Sequence, residues 1–226
     1  MCPYDRPSSK LLNKPRGWTR SIREALTGGM ARHLPILLSG PFRRTPSTGR
    51  QMRTQRLFLR ALTHRDARRI ALLAGDWDVA RMTGRIPHPY SIERAEEWIT
   101  DLSEGERVFG ITHRMALIGV CGYMPDGNSA EIGYWLGKPW WGKGFATEAA
   151  AALIEHCFNE AGFERVTCGH FRDNPASGKV IGKLGFRYVG TDHVWCEARQ
   201  TNVETLRYDL LRSAKSGPNA AEAKAS

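Results

Sequence analysis

The sequence has no apolar run approaching the roughly 18 residues that a membrane-spanning helix requires. It also has no CxxC pair and no internal repeat. The first absence argues against a membrane partner. The second removes the common structural zinc spacings. His156-Cys157, Cys168-x-His170 and His193-x-x-Cys196 repeat none of them, so no metal is expected. The third leaves one domain of ordinary size plus tails in 226 residues. Acidic residues are scarce where basic ones are dense: residues 1–50 hold ten Lys/Arg against two Asp/Glu. The formal charge of +10 therefore belongs mostly to that segment. It argues against a nucleic-acid surface on the folded part. The five cysteines are odd in number and irregularly spaced, with most inside apolar runs. That fits reduced, buried thiols and a cytoplasmic location better than a disulfide framework.

What is present divides into three stretches. Residues 1–53 carry six prolines, scattered basic residues and no sustained periodicity, and are expected to be a basic, disordered leader. A transit peptide and an upstream start before Met30 or Met52 are the other readings. Residues 54–213 have domain texture, and residues 214–226 form a polar, disordered tail. Within the domain, Gln55–Leu62 alternates as a strand. Thr63 to Arg81 reads as one helix, with Asp66 completing a Thr-x-x-Asp capping box. Gly84–Tyr90, with Pro87 and Pro89, is a loop. Ser91 caps a helix over Ile92–Leu102. Arg107–His113 and Ala116–Met124 form a strand pair, Pro125–Asn128 a turn, and Ala130–Leu136 a central strand interrupted only by Glu131. A helix from about Gly144 to Ala161 stops at Gly162. Arg165–His170 is a strand, and Asn174-Pro175 opens a short helix ending near Leu184. Phe186–Thr191, continuing towards Cys196, and Val203–Leu211 are the last strands. The order βααβββαβαββ implies a mixed α/β sheet covered by helices.

The stretch Trp140–Glu148, Trp-Trp-Gly-Lys-Gly-Phe-Ala-Thr-Glu, lies between a strand and a helix. A glycine turn opening a helix converges unpaired N–H groups on an anion, helped by the positive helix terminus. Gly137 to Lys143 meets the spacing G-x-x-x-x-G-K, but Gly144 stands where a magnesium-binding Ser or Thr is needed. Pro139 removes a further N–H. The dinucleotide fingerprint fails too, because Thr147 occupies its third small position. A shorter turn that holds a diphosphate by backbone alone is left.

Trp141-Gly-Lys-Gly144-Phe-Ala146 resembles the [Q/R]-x-x-G-x-[G/A] acetyl-CoA motif of the GNAT acetyltransferase superfamily, with Trp141 in place of Gln or Arg. Ala130-Glu-Ile-Gly-Tyr-Trp-Leu136, Asn174-Pro-Ala-Ser177 with Lys183-Leu-Gly-Phe186, and Pro87-x-Pro89-Tyr90 followed by Trp98-Ile99 resemble its RimJ/RimL-like branch. The resemblance spans about residues 54–212. It implies a GNAT-like mixed, mostly antiparallel central sheet of about seven strands flanked by four helices, with a V-shaped opening between the two central parallel strands. It implies an N-acetyltransferase that moves an acetyl group from acetyl-CoA to a primary amine by direct attack in a ternary complex. The acceptor is a protein N-terminus or a small amine, and the assembly a monomer or homodimer.

The resemblance also implies roles for particular residues. The N–H groups around Gly142, Lys143, Gly144, Phe145, Ala146 and Thr147, beside Trp141, would hold the cofactor diphosphate. Lys143 either adds charge there or is a solvated loop lysine. The backbone of Tyr134, Trp135 and Leu136 would pair with the pantetheine arm, and Asn174 and Ser177 would lie beside the thiol end. Asn174 is equally a helix cap. Glu131, an ionisable group in an apolar strand, is the candidate base, with a structural ion pair to an arginine on a neighbouring strand as the alternative. Where many family members place a tyrosine acid this chain has Ile181, which leaves Ser177 to protonate the thiolate directly or through water, or the thiolate to leave unaided. His88 and Tyr90 are candidates for the acceptor pocket. A non-catalytic acyl-CoA sensor, or a ribosome- or RNA-associated protein using the basic leader, are the competing functions.

Overall fold

The computed structural model of the chain describes residues 51–102 and 106–215. Most of the expected leader and tail lies outside these residues. Met52 and Arg53, assigned above to the leader, instead form a short strand, β1 (Met52–Arg53), paired with β2 (Phe58–Arg60). The domain then runs through α1 (Ala67–Ala74), α2 (Trp77–Ala80), α3 (Ile92–Thr100), β3 (Arg107–His113), β4 (Ala116–Asp126) and β5 (Ser129–Leu136). It continues with α4 (Phe145–Asn159), β6 (Arg165–Phe171), α5 (Pro175–Lys183), β7 (Arg187–Cys196), β8 (Thr201–Leu211) and α6 (Arg212–Lys215). One sheet holds all the strands in the order β1-β2-β3-β4-β5-β6-β8-β7. It has eight strands against the seven expected: β1 is the additional one, drawn from the expected leader, and the strand read over Gln55–Leu62 is shortened to β2 after a turn at Thr54–Leu57.

The helix expected over Thr63–Arg81 is broken into three pieces. Asp66 does accept from the Thr63 N–H at 2.9 Å, but it opens only a single 3₁₀ turn before α1. Its carboxylate also forks onto Arg60, with bonds of 2.7 and 2.8 Å. Gly75 ends α1, and Asp76 restarts the chain as the cap of α2, accepting from the Asp78 N–H at 2.8 Å. A glycine followed by a strong capping residue interrupts a helix locally, whatever the apolar period on either side. The expected turn at Pro125–Asn128 is shorter than read, since β4 runs on to Asp126 and pairs with Ser129.

Apolar clusters cover both faces of the sheet. On one, α4 and α5 bury Phe145, Ala149, Leu153, Ile154 and Ile181 against Ala130, Ile132, Val166 and Cys168. On the other, α1 and α3 bury Ala67, Ile70, Ala74 and Ala95 against Leu117 and Val120. Every pairing in the sheet is antiparallel except β5–β6. That parallel pair touches only through Ser129–Arg165, Ala130–Val166 and Glu131–Thr167. From Ile132 to Leu136, β5 remains paired with β4 while β6 diverges from it. This is the V-shaped opening.

A bulge sets the geometry beside the opening. Ile111 faces Gly119 and Thr112 faces Leu117, so Ile118 is an extra residue in β4. The bulge reverses the side-chain phase, placing Leu117 and Val120 on one face and Ile118 and Cys121 on the other. The freed carbonyls are satisfied: Ile118 O accepts from the Gly137 N–H at 2.9 Å, and Leu117 O from Arg69 Nε at 3.1 Å. No helix among the described residues is long and apolar enough to cross a membrane.

Candidate active site

The glycine turn lies at one end of the opening. Gly142 and Gly144 take φ of +73° and +77°, which an L side chain adopts only under strain. Gly144 is the N-cap of α4 and offers no side chain to its donors, and the Glu148 N–H returns to Gly144 O at 3.1 Å. The donors ahead of Glu148 are the ones an α-helix leaves without an internal partner. Ala146 packs towards the core and Phe145 is buried, so the turn presents backbone rather than side chains. Thr147, also in the first turn, is half-buried.

Lys143 has two readings, added charge at the anion or a solvated loop lysine, and its side chain hydrogen-bonds to the loop itself. Its ammonium turns back to donate to Pro139 O at 2.9 Å. Accordingly, Lys143→Ala should change the dissociation constant for coenzyme A less than about threefold, measured by isothermal titration calorimetry. A tenfold loss would show that the ammonium swings onto the anion. Trp141 also acts through its side chain: the indole Nε1–H donates to Leu136 O at 2.7 Å and ties the turn to the open end of β5. Trp135 packs on the α1–α3 side of the sheet.

At the middle of the opening stands a pair that sequence reading missed. The Tyr134 hydroxyl lies 2.9 Å from Ser177 Oγ, joining β5 to the first turn of α5. Burial pushes the Tyr134 phenol up to about 12, outweighing the opposing Ser177 hydrogen bond. Asn174 caps α5 by accepting from the Ser177 N–H at 3.2 Å, so its helix-cap role is realised. Ile181, at the place of the family's tyrosine, is 1% exposed in the core and has no proton to give.

Glu131 lies on the opposite face of the sheet from Tyr134, as a three-residue offset along one strand requires. Its Oε1 accepts from Arg207 Nη1 at 2.7 Å, the ion pair given above as the alternative to a base. Arg207 arrives from β8, across β6, and its Nη2 also reaches Asp192 at 3.4 Å. The crossing passes over Gly169, where a Cβ would stand 3.3 Å from the arginine stem. No local sequence signal connects positions 131 and 207. Of the residues expected at the acceptor pocket, His88 is exposed and Tyr90 is half-buried. His88 sits edge-on to Trp77 at 5.2 Å, and Tyr90 packs into the α1–α3 cluster, which pushes its phenol up to about 12. Among the described residues, no group of three or more His, Cys, Asp or Glu is placed to hold a metal ion.

Comparison with known proteins agrees with this architecture. The model of the acetyltransferase (GNAT) domain matches residues 56–187. The chain is 30% identical over 174 residues to the uncharacterized N-acetyltransferase p20 of Bacillus licheniformis, covering 73% of this chain and 97% of that protein. It is 35% identical over 87 residues to the ribosomal-protein-serine acetyltransferase of Escherichia coli strain K12, covering 37% and 49%. Among solved structures, Mycobacterium smegmatis RimJ in complex with CoA-disulfide superposes with a TM-score of 0.64 at 21% identity, covering 70% of this chain and 83% of that one. A glycine turn at the mouth of a splayed parallel pair, a family match over most of the domain and a relative aligned nearly end to end lead to one conclusion: the chain belongs to the GNAT family of acetyl-CoA-dependent N-acetyltransferases.

Proposed function

We propose that the chain acetylates the α-amine of a protein N-terminus by direct attack on acetyl-CoA in a ternary complex. The observation that carries this reading is the opening between β5 and β6, with the diphosphate turn at one end and the Tyr134–Ser177 pair at its centre. An extended pantetheine arm would pair with Tyr134, Trp135 and Leu136 along the unpaired edge of β5. The thioester then lies between the two faces of the sheet. The amine approaches on the Glu131 face and the thiolate departs towards Ser177.

The chemistry needs a neutral amine, a polarised carbonyl and a proton for sulfur. A phenol raised to about 12 stays protonated across the working range, which makes Tyr134 available as a donor to Ser177 Oγ. The serine hydroxyl hydrogen goes to the thiolate as Ser177 Oγ takes the phenol proton of Tyr134, which solvent then restores. Glu131 has Oε1 committed to Arg207, which leaves Oε2 to receive the ammonium and take its proton. Glu131→Gln is expected to lower kcat about tenfold with the KM for acetyl-CoA unchanged. Intact turnover between about pH 6 and 9 would leave Glu131 only as the anchor of Arg207.

A protein acceptor is favoured by the Escherichia coli relative, whose name specifies a ribosomal protein. The four described cysteines are all buried and free, as a reducing compartment leaves them, which supports a cytoplasmic site of action. The test is thiol release from acetyl-CoA, measured with peptides of varied first residue beside amino acids, polyamines and aminoglycosides. Release that requires a free peptide α-amine is the expected result. Release with small amines alone would overturn the protein acceptor, and release with no amine would favour the acyl-CoA sensor.

A further inference from the structure

Arg56 carries no motif in the sequence, yet its guanidinium meets the glycine turn at three points. Nε pairs with Glu148 Oε2 at 2.6 Å, and Nη1 donates to Lys143 O at 3.0 Å. The plane lies over the Phe145 ring, 4.5 Å from its centroid. Thr54 Oγ1 and the Arg56 N–H both donate to Glu148 Oε1, at 2.5 and 2.8 Å. Although burial opposes it, this set of bonds holds the Glu148 carboxyl below the usual range and therefore charged. The turn between β1 and β2 is thus stapled to the first turn of α4.

A trans peptide is planar, so its C=O and the following N–H point in opposite directions. Fixing Lys143 O against Arg56 aims the Gly144 N–H away from Arg56, on the other side of the turn. Left alone, this peptide has little reason to keep that orientation, because the φ of Gly144 is sterically free. We propose that Arg56 is a positioning residue for the diphosphate of the acyl-CoA donor. It does not touch the anion. It selects the orientation of the Lys143–Gly144 peptide in which the N–H faces the cradle. This inference rests on the diphosphate reading of the turn.

An acyl donor without a diphosphate has no use for that N–H, so acetyl-CoA and S-acetylpantetheine separate positioning from general damage. Arg56→Met keeps an aliphatic stem on Phe145 and removes the fork. It is expected to lower kcat/KM for acetyl-CoA about tenfold through KM, the worth of one weakened charge-assisted hydrogen bond. Turnover of S-acetylpantetheine should be unchanged. Arg56→Lys, which keeps the charge beside Glu148 but not the second fork nitrogen, should show the same donor-selective loss to a smaller degree. Equal losses on both donors, or an Arg56→Lys enzyme equal to the wild type on acetyl-CoA, would overturn the proposal. A wild-type enzyme indifferent to the two donors would instead remove the diphosphate reading on which it rests.

Discussion

Ser177→Ala is expected to lower kcat by about 10²-fold, with the KM for acetyl-CoA changed less than about twofold. In the proposed mechanism the uncharged serine acts as the thiolate leaves, so its loss falls on that step. Its hydroxyl lies 2.9 Å from the Tyr134 phenol, and its backbone N–H donates to Asn174 Oδ1, the cap of α5. Tyr134→Phe removes only the donor behind the acid and should cost about tenfold. Because the two act as a unit, the double variant should be little worse than Ser177→Ala alone. The leaving group provides the sharper check. An acetyl thioester of a more acidic thiol needs less protonation, so the deficit of Ser177→Ala should shrink with such a donor. A deficit that stays constant across leaving groups would remove Ser177 from proton transfer.

Gly119→Ala is expected to cost about 3 kcal/mol of stability or more, lowering Tm by roughly 6–12 °C. A Cβ at Gly119 would stand 2.2 Å from Trp135 O and 2.9 Å from Leu136 Cα, both backbone atoms that cannot rotate away. Relief requires β5 to move off β4 at the end where β5 is open towards β6. The variant should therefore lose acetyl-CoA affinity as well as stability. Thermal denaturation followed by circular dichroism, with and without coenzyme A, reads both effects. An unchanged Tm would mean that the bulge at Ile118 absorbs the added methyl group.

Local features were the most legible in the sequence. The Ser91 cap, the Asn174-Pro175 start, the positive φ at Gly144 and Gly162 and the apolar run of α4 each depend on residues within one turn of one another. Apolar periodicity persists from Thr63 to Arg81 and implies one long helix, while cap chemistry at Gly75-Asp76 breaks the chain there. Glu131 was found as a charge in an apolar strand, but its partner was not, since Arg207 is 76 positions away and on another strand. Tyr134 was assigned to the site by its backbone, and its hydroxyl proves to be the group that holds Ser177. The role of Arg56 is not legible in the sequence, because its contacts, Lys143 O and Glu148, lie 87 and 92 positions further along the chain.

The sequence by itself determined the glycine turn, the helix that follows it and the strand that leads into it, and their motifs resemble those of the acetyl-CoA-binding GNAT family. Those are short-range facts, fixed by backbone freedom at glycine and by the period of apolar residues. Tertiary structure alone decided how far β5 and β6 stay paired, which side chains face each other across the opening, and what holds the turn in place. Each of these depends on contacts between residues far apart in the chain, whose geometry appears only once the sheet has closed around the bulge at Ile118.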